Sequence, residues 1–260
     1  MDNLRRYGGA PYTVAVIHGG PGAAGEVADL ARELSSEYGI LEPLQTVPSV
    51  EGQIRELEEC LTSEAALPVT LVGHSYGAML GIIFSAQHPA LVKKLVLVSS
   101  GVIDSSYAVA ITQTRLDHLT MEERAEIGTL EIQLDVPGQV NRNEIFGRIG
   151  ELLDKADSFD PFPSTGEKID YRYDIFTSAW QDMEKLRRKS HLKMYAGRIT
   201  CPVVAIHGDY DPHPADGVRI PLSGIVHDFR FILLSDCGHC PWRERRAHDR
   251  FYKILHRELQ

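Results

Sequence analysis

Leu95-Val96-Leu97-Val98 is apolar at every position, with none of the in-and-out alternation of a strand that has one wet face. Tyr12–Ile17, Val69–Val72 and Pro202–Ile206 are similar short runs rich in β-branched and apolar residues. A strand apolar on both faces must be covered on both faces, which is the condition of a parallel sheet sandwiched between helices. The segments between the runs supply those helices. Val27, Leu30, Ala31, Leu34 and Tyr38 fall at helical spacing and stop at Gly39, and Ile54, Leu57 and Leu61 mark a second helix starting from Ser49. Tyr76–Gln87 forms a third, stopped by His88-Pro89. Ile40–Val47 reads as a further strand, interrupted by Pro43.

The alternation lapses between about Val102 and Trp180. There the pattern is helical, broken at Pro137-Gly138 and Pro161-Phe162-Pro163, and carries 15 Asp+Glu against 7 Lys+Arg. It resumes with the strand at Pro202–Ile206, a helix or turn at Pro214–Leu222, a strand at Asp228–Leu234 and a helix at Pro241–Leu259. The expected organisation is an α/β core formed by residues 1–101 and 181–260, with 102–180 as a helical cap inserted at the C-terminal edge of the sheet, where open α/β folds bind ligands.

A net charge of −9 leaves no cationic excess for neutralising phosphates, so nucleic acid is not an expected partner. The start, Met1 to Arg6, is too polar for a secretory signal, and no apolar run approaches membrane-spanning length. The four cysteines (Cys60, Cys201, Cys237, Cys240) form no disulfide framework in a chain of 260 residues, and a reducing cytoplasm is the expected compartment. Cys237-Gly238-His239-Cys240 lacks the second ligand pair a zinc site needs, so no metal is expected there.

The chemistry is carried by Gly73-His74-Ser75-Tyr76-Gly77, a G-x-S-x-G set between an apolar strand and an apolar helix. A serine on so sharp a turn needs flanking residues without Cβ, and the following helix offers unpaired N–H groups to a developing oxyanion. Acyl transfer by serine also needs a base and a carboxylate to orient it. The next two strand ends provide candidates: His207-Gly208-Asp209-Tyr210-Asp211-Pro212-His213 and Ser235-Asp236-Cys237-Gly238-His239.

With this order of serine, carboxylate and histidine, the chain resembles the α/β-hydrolase fold family over about Tyr12–Ser100 and Thr200 to the end. The resemblance implies a mostly parallel sheet covered by helices on both faces, Ser75 as nucleophile, His239 as general base and then acid, and Asp211 as orienting acid. Asp104 is the alternative acid, because some members place it after the preceding strand, and Asp209 is expected to brace its own loop. The His18-Gly19-Gly20-Pro21-Gly22 segment resembles the H-G-G-P-G loop of proline iminopeptidases, and by that match the amides of Gly20 and Tyr76 form the oxyanion hole. His18 is expected to close its own loop, and His74, His207 and His213 to be packing or surface residues.

One departure bears on substrate. Many relatives carry D-Q-R-G-x-G-x-S where this chain has Glu42-Pro43-Leu44-Gln45-Thr46-Val47-Pro48-Ser49. The expected activity is hydrolysis of an ester, amide or peptide bond in a small molecule or short peptide, through an acyl-serine and without a cofactor. Phe159, Phe162, Tyr171, Tyr173, Phe176 and Trp180 are candidate lining of the pocket or packing of the cap. An iminopeptidase-like aminopeptidase, a carbon–carbon bond hydrolase acting on diketones and an acyltransferase are the alternatives within enzymes. A ligand-binding relative that keeps the fold without catalysis is the alternative outside them.

Overall fold

The computed structural model describes residues 3–163, 166 and 168–260; Met1 and Asp2 of the polar N-terminal stretch lie outside the described residues. Its centre is a seven-stranded sheet. The strands are β1 (Leu4–Tyr7), β2 (Tyr12–Ile17), β4 (Gly39–Pro43), β5 (Val69–His74), β6 (Val92–Val98), β8 (Val203–Gly208) and β9 (Phe229–Leu234). They lie in the order β1-β4-β2-β5-β6-β8-β9, all parallel except the β1–β4 pair at one edge. A mostly parallel sheet flanked by helices is the architecture that the resemblance implies.

The pleat divides the side chains into two cores. Val14, Val16, Val72, Val96, Val98, Val204 and Ile206 face one side, where α1 (Ala28–Leu34) and α10 (His248–Leu259) cover them. Ala15, Ile17, Leu71, Leu95, Leu97, Val203 and Ala205 face the other, under α2 (Val50–Glu64), α3 (Tyr76–Gln87), α8 (His191–Ala196) and α9 (Asp216–Ser223). Successive residues of one strand thus enter opposite cores, which is why these strands read as unbroken apolar runs. Each fully buried Val, Leu or Ile contributes roughly 1.5–3 kcal/mol. α3 lies behind the central strand and is buried from Tyr76 to Ser85, so it is apolar all round rather than amphipathic.

Between β6 and β8 the chain forms a 3-10 turn (Ser105–Ala110), α4 (Ile111–Asp117), α5 (Met121–Leu134), α6 (Arg142–Ala156), β7 (Asp170–Tyr171) and α7 (Tyr173–Arg188). α5 starts at a capping box between Thr120 and Glu123. The insertion has small cores of its own, Leu119, Ile127, Leu152 and Ala156 in one and Leu134, Ile145 and Ile149 in the other. β7 pairs antiparallel with β3 (Ala23–Ala24), joining the insertion to the loop after β2. α7 runs through Trp180 to Arg188 without a break.

Several boundaries differ from the sequence expectation for identifiable reasons. β1 carries two arginines in four residues, and edge position and pairing rather than an apolar pattern make it a strand. α1 ends at Leu34 instead of Tyr38, because Ser35–Tyr38 fold into turn hydrogen bonds. The expected helix Pro241–Leu259 is split into a 3-10 turn (Pro241–Arg243) and α10, with Glu244 extended between them. That break turns the buried Glu244 carboxylate onto the amides of Phe159, Asp160 and Gly238. No helix among the described residues is long and apolar enough to cross a membrane.

Candidate active site

Ser75 occupies the turn between β5 and α3 at φ 51° and ψ −113°, a conformation that a residue with a Cβ adopts only under constraint. The constraint is visible. Its N–H donates to the Val98 carbonyl (3.0 Å), and its carbonyl accepts from the amides of Ala78 and Gly101 (both 3.2 Å). Both flanking glycines are sterically required. A Cβ on Gly73 would lie 2.5 Å from the Gly77 carbonyl oxygen, and one on Gly77 would lie 2.4 Å from that of His18. The second approach packs the His18–Gly22 loop against the first turn of α3.

The loops after β8 and β9 bring the acid and the histidine together. His239 Nδ1 lies 2.7 Å from Asp211 Oδ2, so this nitrogen carries the proton and Nε2 is left as an acceptor. The Asp211 side chain is wholly buried. Burial alone would raise its carboxyl, but His239, His207 and His213 outweigh it and hold it well below the usual carboxylate range. Burial likewise opposes protonation of His239, yet the facing Asp211 carboxylate raises the imidazole above its ordinary value. The backbone of His239 is fixed on both sides: its N–H donates to the Asp157 carbonyl (2.8 Å) and its carbonyl accepts from His74 Nε2 (3.0 Å). The His74 and His239 rings lie 4.7 Å apart, so the residue preceding Ser75 touches the histidine loop directly.

Of the two carboxylates considered, Asp211 meets His239. Asp104 instead bonds Ser106 and pairs with Lys193, partly exposed. Asp209 accepts from the Cys237 amide (3.3 Å) and so ties the β8 and β9 loops together. At the proposed oxyanion donors, the Gly20 amide donates to no other group among the described residues. Tyr76 opens α3, whose first-turn N–H groups have no acceptor within the helix.

His18, His74, His207 and His213 are all buried, as packing histidines are, but three of them also bond groups of the site. His213 donates through its amide and Nδ1 to Asp211 Oδ1 (both 2.9 Å) and stacks on His239 with ring centres 4.5 Å apart. Burial is the main cause that pushes it down to about 4, so it is a neutral ring at pH 7. His207 Nε2 donates to the His213 carbonyl (2.8 Å) and lies 3.4 Å from Asp211 Oδ2. His18 does not close its own loop; its Nε2 reaches the Leu44 carbonyl beyond β4 (2.9 Å). His213 had a local signal, a histidine two residues after the acid. The Glu26–His74 contact, spanning 48 positions, had none.

The aromatic expectations divide. Trp180 stands 6.3 Å from the Tyr76 ring and stacks on Phe176, which meets Phe146 and Tyr173; Tyr171 packs edge-on against Phe146. Phe159 packs edge-on against Tyr210. Phe162 lies elsewhere, against His248 and Arg245, and is no part of this wall. Cys237 and Cys240 are buried free thiols.

Among the described residues, two groups bring three metal-ligating atoms within 4.8 Å of one another: Glu26, His74 and Cys240, and Asp157, His213 and His239. Their carboxylates have partners within the protein. Glu26 accepts from Gly19 and faces His74, and Asp157 receives both arms of the Arg115 guanidinium.

A family model for the alpha/beta hydrolases matches residues 7–253. No curated protein sequence matches the chain. Among solved structures, that of VinJ superposes with a TM-score of 0.69 at 18% identity, covering 98% of this chain and 93% of the other. The enol-lactonase from Burkholderia xenovorans LB400 gives 0.62 at 15%, covering 98% and 94%. Proline iminopeptidase from Mycobacterium smegmatis gives 0.60 at 15%, covering 98% and 93%. At such identities the likeness is one of fold. The family match extends over nearly the whole chain, and the protein belongs to the alpha/beta hydrolase family.

Proposed function

We propose that the protein is a serine hydrolase that cleaves an ester, amide or peptide bond of a small-molecule or short-peptide substrate through an acyl-Ser75 intermediate. The observation that carries this reading is the buried Asp211–His239 hydrogen bond on a loop that the ring of His74 touches, one residue before a serine in a strained elbow. In this reading His239 Nε2 takes the Ser75 proton as the hydroxyl oxygen attacks the substrate carbonyl. The amides of Gly20 and Tyr76 receive the oxyanion. The tetrahedral adduct collapses by expelling the leaving group, which takes the proton from His239. Water, deprotonated by the same ring, then cleaves the acyl-enzyme, and Ser75 recovers its proton from His239. Asp211 stays ionised throughout and stabilises the imidazolium each time it forms.

Residues 102–180, with the rest of α7, serve in this reading as a cap whose aromatic wall at Trp180 and Phe176 forms an apolar roof. An ester or amide with an apolar group is favoured over a substrate with a free amine. Much of the insertion's acidity is engaged by cations of the same chain: Glu126 with Arg148, Glu123 with Lys155, Asp154 with Arg243 and Asp157 with Arg115. The free cysteines suit a reducing cytoplasm.

Ser75→Ala should reduce turnover of p-nitrophenyl acetate by about 10⁶-fold, the loss typical of removing the nucleophile of a serine triad. Unchanged turnover by the folded variant would refute the assignment. Aminoacyl-β-naphthylamides with free and blocked α-amines separate the two substrate classes: preference for the free amine would move the reading to an aminopeptidase.

A further inference from the structure

We propose that Glu26 is a positioning residue that holds the oxyanion loop and the histidine loop in register with each other through His74. The inference rests on the serine hydrolase reading and adds a residue that touches none of the reacting atoms. Glu26 Oε2 accepts from the Gly19 amide (2.5 Å) and faces His74 Nδ1 (3.3 Å), while the opposite nitrogen of that ring donates to the His239 carbonyl (3.0 Å). One carboxylate is therefore linked to three segments: the peptide just before the Gly20 amide, the residue just before Ser75, and the backbone that carries the base.

Both groups that the His74 ring meets, the Glu26 carboxylate and the His239 carbonyl, are acceptors. Burial alone would raise the Glu26 carboxyl, but the facing His74 outweighs it and brings it to about 2, which leaves it ionised at neutral pH. The space for the pair is made by a residue of the H-G-G-P-G loop. A Cβ on Gly19 would lie 2.4 Å from Glu26 Oε2 and 2.8 Å from His74 Nδ1. Trp242 packs edge-on against the His74 ring at 4.7 Å and limits its rotation. Gly19 is thus needed for a side-chain contact as well as for the turn it forms.

Glu26→Ala frees the Gly19 amide and removes the carboxylate that faces His74 Nδ1. A displacement of the order of 1 Å at the donors or the base costs about 100-fold. The expected result is a fall in kcat on p-nitrophenyl acetate of about that size with KM within about threefold, because ground-state binding is left alone. The Ki of an aryl trifluoromethyl ketone, which adds to the serine hydroxyl and places an oxyanion in the same site, should rise in parallel. Glu26→Gln keeps an acceptor for Gly19 and should recover part of the loss. Gly19→Ala, which displaces the carboxylate without removing it, should reproduce the loss.

A purely structural Glu26 would lower the melting temperature but leave kcat and the ketone Ki of the folded variant within threefold of the wild type, and that result overturns the proposal. If Glu26→Ala does not fold, Glu26→Gln decides: an unchanged kcat and Ki overturn it as well. Labelling of the wild type by a fluorophosphonate separates the two levels. A labelled wild type with unaffected Glu26 variants removes the positioning role and leaves the hydrolase reading standing. An unlabelled, folded wild type removes both.

Discussion

Replacing Asp211 by Asn tests the geometry of the site more sharply than deleting it, because the shape is kept and only the pattern of donors changes. Asp211 Oδ1 receives two N–H groups, both from His213, and Oδ2 receives one, from His239. In Asp211→Asn the amide oxygen stays where two donors converge, and the –NH2 turns toward His239. Nδ1 must then accept, its proton moves to Nε2, and the ring can no longer take the proton of Ser75. In a serine triad this wrong tautomer costs about 10⁴-fold in kcat. That is about 5.5 kcal/mol of transition-state stabilisation at about 1.36 kcal/mol per decade. The fold should lose only about 1–2 kcal/mol, the worth of one charge-assisted hydrogen bond exchanged for a neutral one. The assay is kcat/KM on p-nitrophenyl acetate, with the melting temperature as the check on folding. A folded Asp211→Asn within tenfold of the wild type would refute the argument. Asp104→Asn, which disturbs only contacts to Lys193 and Ser106, should stay within about threefold.

Three further outcomes follow from the same structure. Because Asp211 raises His239 above its ordinary value of 6.5 and the neutral ring is the base, kcat/KM should fall on acidification along a limb centred above that value. A profile between pH 5 and 9 with its limb below 6.5 contradicts this. The stability linked to the same pair has the opposite sense: it is fully present below the unfolded histidine value and is lost as pH rises through the raised one. Arg115→Ala leaves Asp157, 8% exposed, without its bidentate partner and should cost about 3 kcal/mol in urea denaturation; a loss below about 1 kcal/mol would show that the pair is not needed. Gly77→Ala forces a methyl to within 2.5 Å of the backbone oxygens of Ile17 and His18 and should destabilise by about 1–3 kcal/mol in the same assay, with no change as the contrary result.

The strands and the elbow were legible because each expresses a local rule. Tyr12–Ile17 and Tyr76–Gln87 begin and end where their apolar runs and glycine or His-Pro stops place them. β1 was not legible, since its polar sequence becomes a strand only by pairing with β4. The split at Glu244 was hidden for a related reason: the carboxylate that interrupts the helix serves amides 85, 84 and 6 positions away. At the site, strand ends pointed to Ser75 and to the loops after β8 and β9, and the resemblance to the α/β-hydrolases singled out Asp211 and His239 within them. Of the other buried histidines, His213 had a local signal in its place two residues after the acid, and His74 had none. His74 reads as a packing residue, and only the convergence of segments far apart in sequence turns it toward Glu26 and His239.

The central claim is that the hydroxyl of Ser75 is activated by His239. It is tested most directly by locating the adduct after treatment with a fluorophosphonate and following its rate of formation. The account predicts one adduct per chain, on the peptide containing Ser75, absent from Ser75→Ala and formed far more slowly by His239→Ala. An adduct on another residue, or a rate unaffected by loss of the His239 ring, would contradict it.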